Sequence, residues 1–150
     1  MILGDIAIRE YLGQGKGVIG FKPENINPNS LDLTLNSEMS VYTNRILDCR
    51  QKNEVEKIEM TSEGYVLIPN VIYLATTNET LDLKPMLFEK TICSRVEGKS
   101  SLGRLGLFIH ITAGWIDAGF KGSLVLELTV VQPLKIYPDM KICQIAFMES

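Results

Sequence analysis

Over residues 30–36 apolar and polar side chains alternate, with Leu31, Leu33 and Leu35 on one side and Asp32 and Thr34 on the other, the period-two pattern of a half-buried strand. Brief β-prone runs continue at 38–42, 45–49, 55–60, 65–68 and 71–77, divided by turn-forming residues such as Asn44, Asn53, Gly64 and Pro69. Further strands are expected at 87–96, 106–111, 122–131, 134–137 and 141–147, with a break in the chain at Leu83-Lys84-Pro85-Met86. A helical period appears only near the start, where Ile8, Tyr11 and Leu12 share a face, Asp5 is placed to cap and Gly13 to end the helix. The stretch FKPENINPNS, rich in proline and asparagine, reads as a loop, and the charged segment 50–59 as a solvent-facing hairpin. Many short strands at this spacing predict an all-β fold, a distorted β-barrel or jelly roll with a short N-terminal helix and one helical turn. Without repeat or linker, residues 1–150 form a single domain.

Composition narrows the function. A chain of 150 residues is long enough for one hydrophobic core. The net charge of −3 with scattered Lys and Arg gives no basic field for a polyanion, so nucleic acid is excluded as the expected partner. A small anion needs only a few oriented donors and remains possible. No apolar run approaches the ~18 residues of a membrane span, and the start lacks an export signal, so a cytoplasmic protein with no membrane partner is expected. Cys49, Cys93 and Cys143 are widely spaced and read as reduced thiols. With one histidine, His110, and no clustered cysteines, a deaminase-type zinc site cannot be assembled; His110 itself reads as a core or interface residue.

Candidate chemistry concentrates between Arg95 and Glu127. In Lys99-Ser100-Ser101-Leu102-Gly103-Arg104, a serine can cap a single helical turn, and the hydroxyls with Lys99 could receive phosphate; the same serines could merely close a turn. In Gly114-Trp115-Ile116-Asp117-Ala118-Gly119-Phe120, read as a glycine-bracketed loop, Asp117 could serve as a base or bind a sugar hydroxyl while Trp115 or Phe120 packs on a ring. Alternatively Asp117 only forms a turn and the aromatics fill the core. Glu127 falls on the face with Val125, Thr129 and Val131, between leucines. Desolvation there would favour the protonated acid and suit a proton shuttle; the plain alternative is a solvent-facing carboxylate or an ion pair with a cation such as Arg104.

Met1-Ile2-Leu3, Ser30-Leu31-Asp32-Leu33, Thr76-Thr77-Asn78-Glu79, the segments 97–106 and 110–122, and Glu127 together resemble the deoxycytidine triphosphate deaminase and deoxyuridine triphosphatase superfamily, in order and spacing. The resemblance implies a distorted barrel assembling as a homotrimer, with active sites between subunits. It implies that Glu127 activates water against C4 of cytosine and shuttles protons to the departing amine, that Ser100 and Arg104 orient water and acid, and that the Ala113 backbone meets the base. Lys99, Ser100, Ser101 and Gln144 would hold the phosphates, with Mg²⁺ carried on the triphosphate. Asp117 and Phe120 would hold the deoxyribose, Trp115 and Ile116 would line the same site, and Asp117 would assist attack on the α-phosphate.

Thr112-Ala113-Gly114-Trp115-Ile116-Asp117 and Gln144 resemble the bifunctional members that turn dCTP into dUMP and pyrophosphate. The alternatives are a dUTP pyrophosphatase that keeps Glu127 as a structural residue, and a nucleotide-binding module of the same fold without turnover. Three departures stand out: Lys99 where the family usually has arginine, Asn36 in place of a frequent glycine, and a sequence that stops at Ser150, where relatives continue into a tail that closes over the triphosphate. That last departure leads to the expectation of a shortened chain, a differently closed site, or slow turnover.

Overall fold

The structure is a computed structural model, and it describes residues 1–84 and 91–149. In chain order the elements are α1 (Asp5–Gly13), β1 (Gly17–Ile19), a 3₁₀ turn (Pro23–Asn25), β2 (Leu31–Tyr42), β3 (Val55–Glu59), β4 (Tyr65–Leu67), β5 (Tyr73–Asp82) and β6 (Ile92–Gly98). They continue with α2 (Ser100–Gly103), β7 (Leu107–Phe108), β8 (Trp115–Ile116), β9 (Lys121–Val130), β10 (Leu134–Ile136) and β11 (Lys141–Glu149). Nine strands form one curled antiparallel sheet in the order β7-β9-β5-β2-β11-β6-β8, with β1 added to β5 and β3 to β2; β10 and β4 pair separately. The expected all-β barrel with one short helix and one helical turn is thus present. Among the described residues no helix is long and apolar enough to cross a membrane, and the three cysteines are unpaired.

The core lies inside the curl. Leu31, Leu33 and Leu35 of β2 are fully buried with Leu126 and Leu128 of β9 and Ile145 and Phe147 of β11. Helix α1 closes one end with Ile8, Tyr11 and Leu12. The Tyr11 ring meets Phe147 edge-on at 5.8 Å, and its hydroxyl donates to the Lys84 carbonyl at 2.8 Å. Burial of that hydroxyl, reinforced by Asp82, pushes its pKa up to about 12.

Several sequence expectations are corrected. The runs 31–36 and 38–42 are one strand, and β2 is buried on both faces over Leu31–Leu35, because Asp32 and Thr34 face a second, polar layer. Residues 45–49 form turns: Asn53 accepts the Asp48 amide and Asn44 the Glu54 amide, so side chains replace a ladder. The strand expected at 106–111 shrinks to Leu107–Phe108, while Trp115–Ile116 pairs with β6 inside what reads as a loop. Asp5 is the first helical residue behind Gly4 and makes no capping bond. Part of the strand expected at 87–96, and the break at 85–86, lie outside the described residues.

Curling a sheet round a core requires register breaks, and each one leaves backbone groups without ladder partners. The pairing of β5 shifts against β2 between Leu35 and Met39, and against β9 between Thr76 and Thr80. Two side chains at this bulge supply the missing acceptors. The Leu124 amide donates to Thr77 Oγ1 at 3.1 Å, and the Thr34 amide donates to Glu79 Oε2 at 2.8 Å. Glu79 Oε1 also accepts the Thr34 hydroxyl at 2.8 Å, and the Glu79 side chain is only 3% exposed as part of its residue. Glu79→Ala should therefore lower unfolding free energy by roughly 3 kcal/mol, the cost of two buried donors left unmet; a urea midpoint unchanged from wild type would contradict this role.

Candidate active site

Strand β8 ends in a turn in which the Phe120 amide donates to the Asp117 carbonyl at 3.2 Å. Leu83 straps this turn from both sides, its carbonyl accepting the Gly119 amide at 2.8 Å and its amide donating to the Phe120 carbonyl at 3.0 Å. Gly119 adopts φ +83°, a conformation that favours glycine. Beside the turn lies a groove of about 470 Å³ whose lining includes Ala113, Trp115, Ile116, Asp117, Phe120 and Val125. The structure thus brings five of the sequence candidates to one wall. Asp117 and Trp115 are exposed in it, and Ile116 is a core residue that forms part of its floor.

Glu127 stands on the outward face of β9 with Val125 and Thr129, as the alternation predicts, while Leu124, Leu126 and Leu128 point into the core. Its carboxylate is half-buried and accepts the Ile111 amide at 3.0 Å. Its own amide donates to the Ile109 carbonyl at 3.0 Å, so one residue clips the segment leading to Thr112 and Ala113 onto β9. Among the described residues no hydrogen bond or ion pair joins Glu127 to Ser100 or Arg104. Phe108, Ile111 and Thr129 line an adjoining apolar cleft of about 300 Å³. His110 tucks against Gly114, where a Cβ would stand 2.9 Å from Nε2 and 3.1 Å from the Val96 carbonyl. Its Nδ1 is buried with no hydrogen-bond partner among the described residues.

The helical turn α2 begins behind Lys99, whose extended backbone makes it the N-cap; neither Ser100 nor Ser101 caps, since both already lie inside the turn. The side chains of Ser100, Ser101 and Arg104 are exposed. Lys99 turns back to Asp32, Nζ lying 2.5 Å from Oδ1. Asn27 donates to the same oxygen at 2.9 Å, and Lys141 Nζ lies 3.2 Å from Oδ2. Gln144, opposite Asp32 in the β2–β11 ladder, accepts the Ser30 hydroxyl at 2.7 Å and donates to the Gly98 carbonyl at 3.0 Å. Asp32 is buried, which by itself resists ionisation, but the bonds from Lys99, Asn27 and Lys141 and the Lys99 charge outweigh that and hold its pKa below the ordinary carboxylate range. The neighbouring Cys143 thiol is pushed far up by burial and by the Glu79 and Asp32 charges, and is inert.

Lys99 and Gln144, 45 residues apart, are thus brought to one cradle, while Asp32 and Lys141 are the members that sequence reasoning did not assign. A usable signal existed in an aspartate set within an otherwise leucine-rich strand, but alternation alone assigns such a residue to solvent.

The curled antiparallel sheet with one short helix places this molecule among the distorted β-barrels of the dUTPase-like type. The profile described as dCTP deaminase-like matches residues 2–150, and the chain belongs to that family. A protein of Clostridium botulinum (strain Eklund 17B / Type B) named "dCTP deaminase, dUMP-forming" is 47% identical, over 98% of this chain and 82% of its own length. A Leptospira biflexa (strain Patoc 1 / Ames) protein of the same name is 40% identical over 98% of this chain and 81% of its own. The fold matches the crystal structure of 2'-deoxycytidine 5'-triphosphate deaminase from Agrobacterium tumefaciens with a TM-score of 0.77 at 24% identity, over 99% of this chain and 48% of that one.

The depressed Asp32 pKa has a signed consequence. Its contribution to stability is fully present above the unfolded-state value of about 4 and is lost as pH falls through the lower folded-state value. The difference in melting temperature between wild type and Asp32→Asn should shrink below about pH 4. A gap that stays constant from neutral pH into strong acid would contradict the pairing.

Proposed function

We propose that this chain deaminates dCTP and couples the step to release of pyrophosphate, giving dUMP. The observation that carries the reading is Glu127: an acid on the outward face of β9, clipped by the Ile111 amide to the segment that leads into the Ala113-to-Phe120 groove. Family membership and relatives named "dCTP deaminase, dUMP-forming" support the choice of substrate and product.

In this reading Glu127 takes a proton from water as the oxygen adds to C4 of the cytosine ring, and returns protons so that the amine departs as ammonia and C4 becomes a carbonyl. Ser100 and Arg104 orient the water and the acid, and the Ala113 backbone meets the base. Asp117 and Phe120 hold the deoxyribose, with Trp115 and Ile116 in the same wall. Asp117 then assists water in attacking the α-phosphorus, and pyrophosphate leaves. Lys99, Ser100, Ser101 and Gln144 hold the phosphates, and Mg²⁺ enters bound to the triphosphate as part of the substrate.

The chain works as a homotrimer. Glu127 has no bond to Ser100 or Arg104 within one chain, yet it is ringed by exposed apolar side chains, including Val125 at 64% and Phe108 at 54% exposure, with Ile111 and Val131 beside them. Such a face on a small soluble barrel calls for a cover. A neighbouring copy would cover it and bring its own α2 turn to Glu127, completing the constellation.

Incubation with dCTP and Mg²⁺ should yield dUMP and pyrophosphate; accumulation of dUTP, or unchanged dCTP at high enzyme concentration, would overturn the coupled reaction. Glu127→Gln should lower the rate of ammonia release by roughly 10²–10⁴-fold, the usual size of a general-base contribution, while leaving the melting temperature close to wild type. Sedimentation should give a particle three times the 16.8 kDa of one chain; a stable monomer at micromolar concentration would rule out a site shared between subunits.

A further inference from the structure

Strand β11 carries a register break of its own, and it changes which side chains share a face. Gln144 lies opposite Asp32, Cys143 opposite Leu33, and Lys141 opposite Thr34, with a shift between Lys141 and Cys143. In an unbroken strand, residues three apart point to opposite faces. Here the extra residue resets the alternation: Ile142 and Cys143 are both buried, and Lys141 comes to the same face as Gln144, above Asp32 and Thr34. Bulges of this kind re-aim a side chain at a site.

What it is aimed at is a carboxylate already held elsewhere. Asp32 is only 3% exposed, and Lys99 and Asn27 satisfy its Oδ1. Lys141 takes Oδ2, yet its side chain is 45% exposed and that of Lys99 is 23% exposed. An ammonium has three donors. Each lysine therefore anchors on Asp32 with one N–H and has donors left for a ligand, and two ammoniums around one carboxylate leave a surplus positive charge. The Ser30 hydroxyl and Gln144 amide lie next to them. A polyphosphate, with several negative oxygens along a chain, matches two fixed ammoniums better than a single anion does.

We propose that Lys141 is a second phosphate-binding lysine, turned to the site by the β11 bulge and held by Asp32 in a two-lysine cradle with Lys99. Asp32 is the positioning residue: it contacts both ammoniums and fixes their spacing without itself meeting an anion. Lys99 offers a point charge rather than a fork of donors, and Lys141 supplies the second set of donors that a lone lysine lacks. The proposal rests on the reading of the site as one that takes a nucleoside triphosphate.

The test uses inorganic tripolyphosphate as the probe, with Mg²⁺, by titration calorimetry, alongside steady-state kinetics on dCTP. Lys141→Met, at a half-exposed position, should still fold, with a somewhat lower melting temperature from the lost bond to Asp32, bind tripolyphosphate about tenfold or more weakly, and raise KM for dCTP by a similar factor with the smaller effect on kcat. Lys141→Arg should restore most of the affinity. If Asp32 acts by positioning, adding Lys141→Met to Asp32→Asn should cost far less affinity than it does in wild type. Should Asp32→Asn fail to fold, the two Lys141 variants alone decide the matter. Wild-type affinity for tripolyphosphate in Lys141→Met, or no binding to the wild-type protein, overturns the cradle even if dCTP is converted to dUMP. Binding that weakens in Lys141→Met while dCTP is left intact upholds the cradle and removes the deaminase reading instead.

Discussion

Backbone amides orphaned by the curl of the sheet are the constraint on which the rest of this structure depends. A flat ladder satisfies its own N–H groups, but a sheet that bends round a core must slip register, and each slip inside a dry interior strands a donor. At the β5 bulge the stranded amides of Leu124 and Thr34 are met by Thr77 and Glu79, which is why a glutamate and a threonine are buried in the middle of a hydrophobic barrel. Asn78, between them, ties Thr34, the Leu35 carbonyl and Asp139 together. These side chains act as substitutes for missing strand partners, so the polar residues of the segment Thr76–Glu79 belong to the architecture before they belong to any chemistry.

The same irregularities build the site. One face of β2 holds the leucine core, and the other carries Asp32 and Thr34 into a polar layer where Glu79 approaches from β5, Lys99 from the cap of α2 and Lys141 from β11. Because this layer is pinned by bonds of 2.5–3.2 Å to a buried carboxylate, its ammoniums are held before any ligand arrives, and rigid donors lose less entropy on binding than mobile ones. The proposed catalytic acid sits differently. Glu127 occupies a regular stretch of β9, where simple alternation delivers it to the outward face, and its bond to the Ile111 amide passes that rigidity to the segment that frames the groove. One part of the site thus depends on broken register and the other on register kept.

The parts that were legible follow from local periodicity. Alternation put Glu127 with Val125 and Thr129, and the glycines at 114 and 119 marked a tight excursion with Asp117 and Phe120 at its turn. What misled was the assumption that a polar residue in an alternating strand faces water. Asp32 satisfies the pattern of a half-exposed strand and yet is buried, because a second layer covers that face. Residues 45–49 had the composition of a strand, but asparagine side chains took the backbone bonds. Trp115 and Ile116 lay in what read as a loop, and became a strand only because Arg95 and Ser94 offered an edge to pair with.

The sequence by itself determined the class of fold, the order of the candidate groups and the side of β9 on which the acid stands, since these depend on spacing along a single chain. Only the tertiary structure decided the partnerships: Lys99 with an aspartate 67 positions earlier, Glu79 with a threonine 45 positions away, and Lys141 turned to the face of Gln144 by one extra residue. The physical reason is that burial of a charge, and the parity of a strand after a bulge, are set by which distant strands come to lie alongside, and a register shift of one residue exchanges every inward side chain for an outward one.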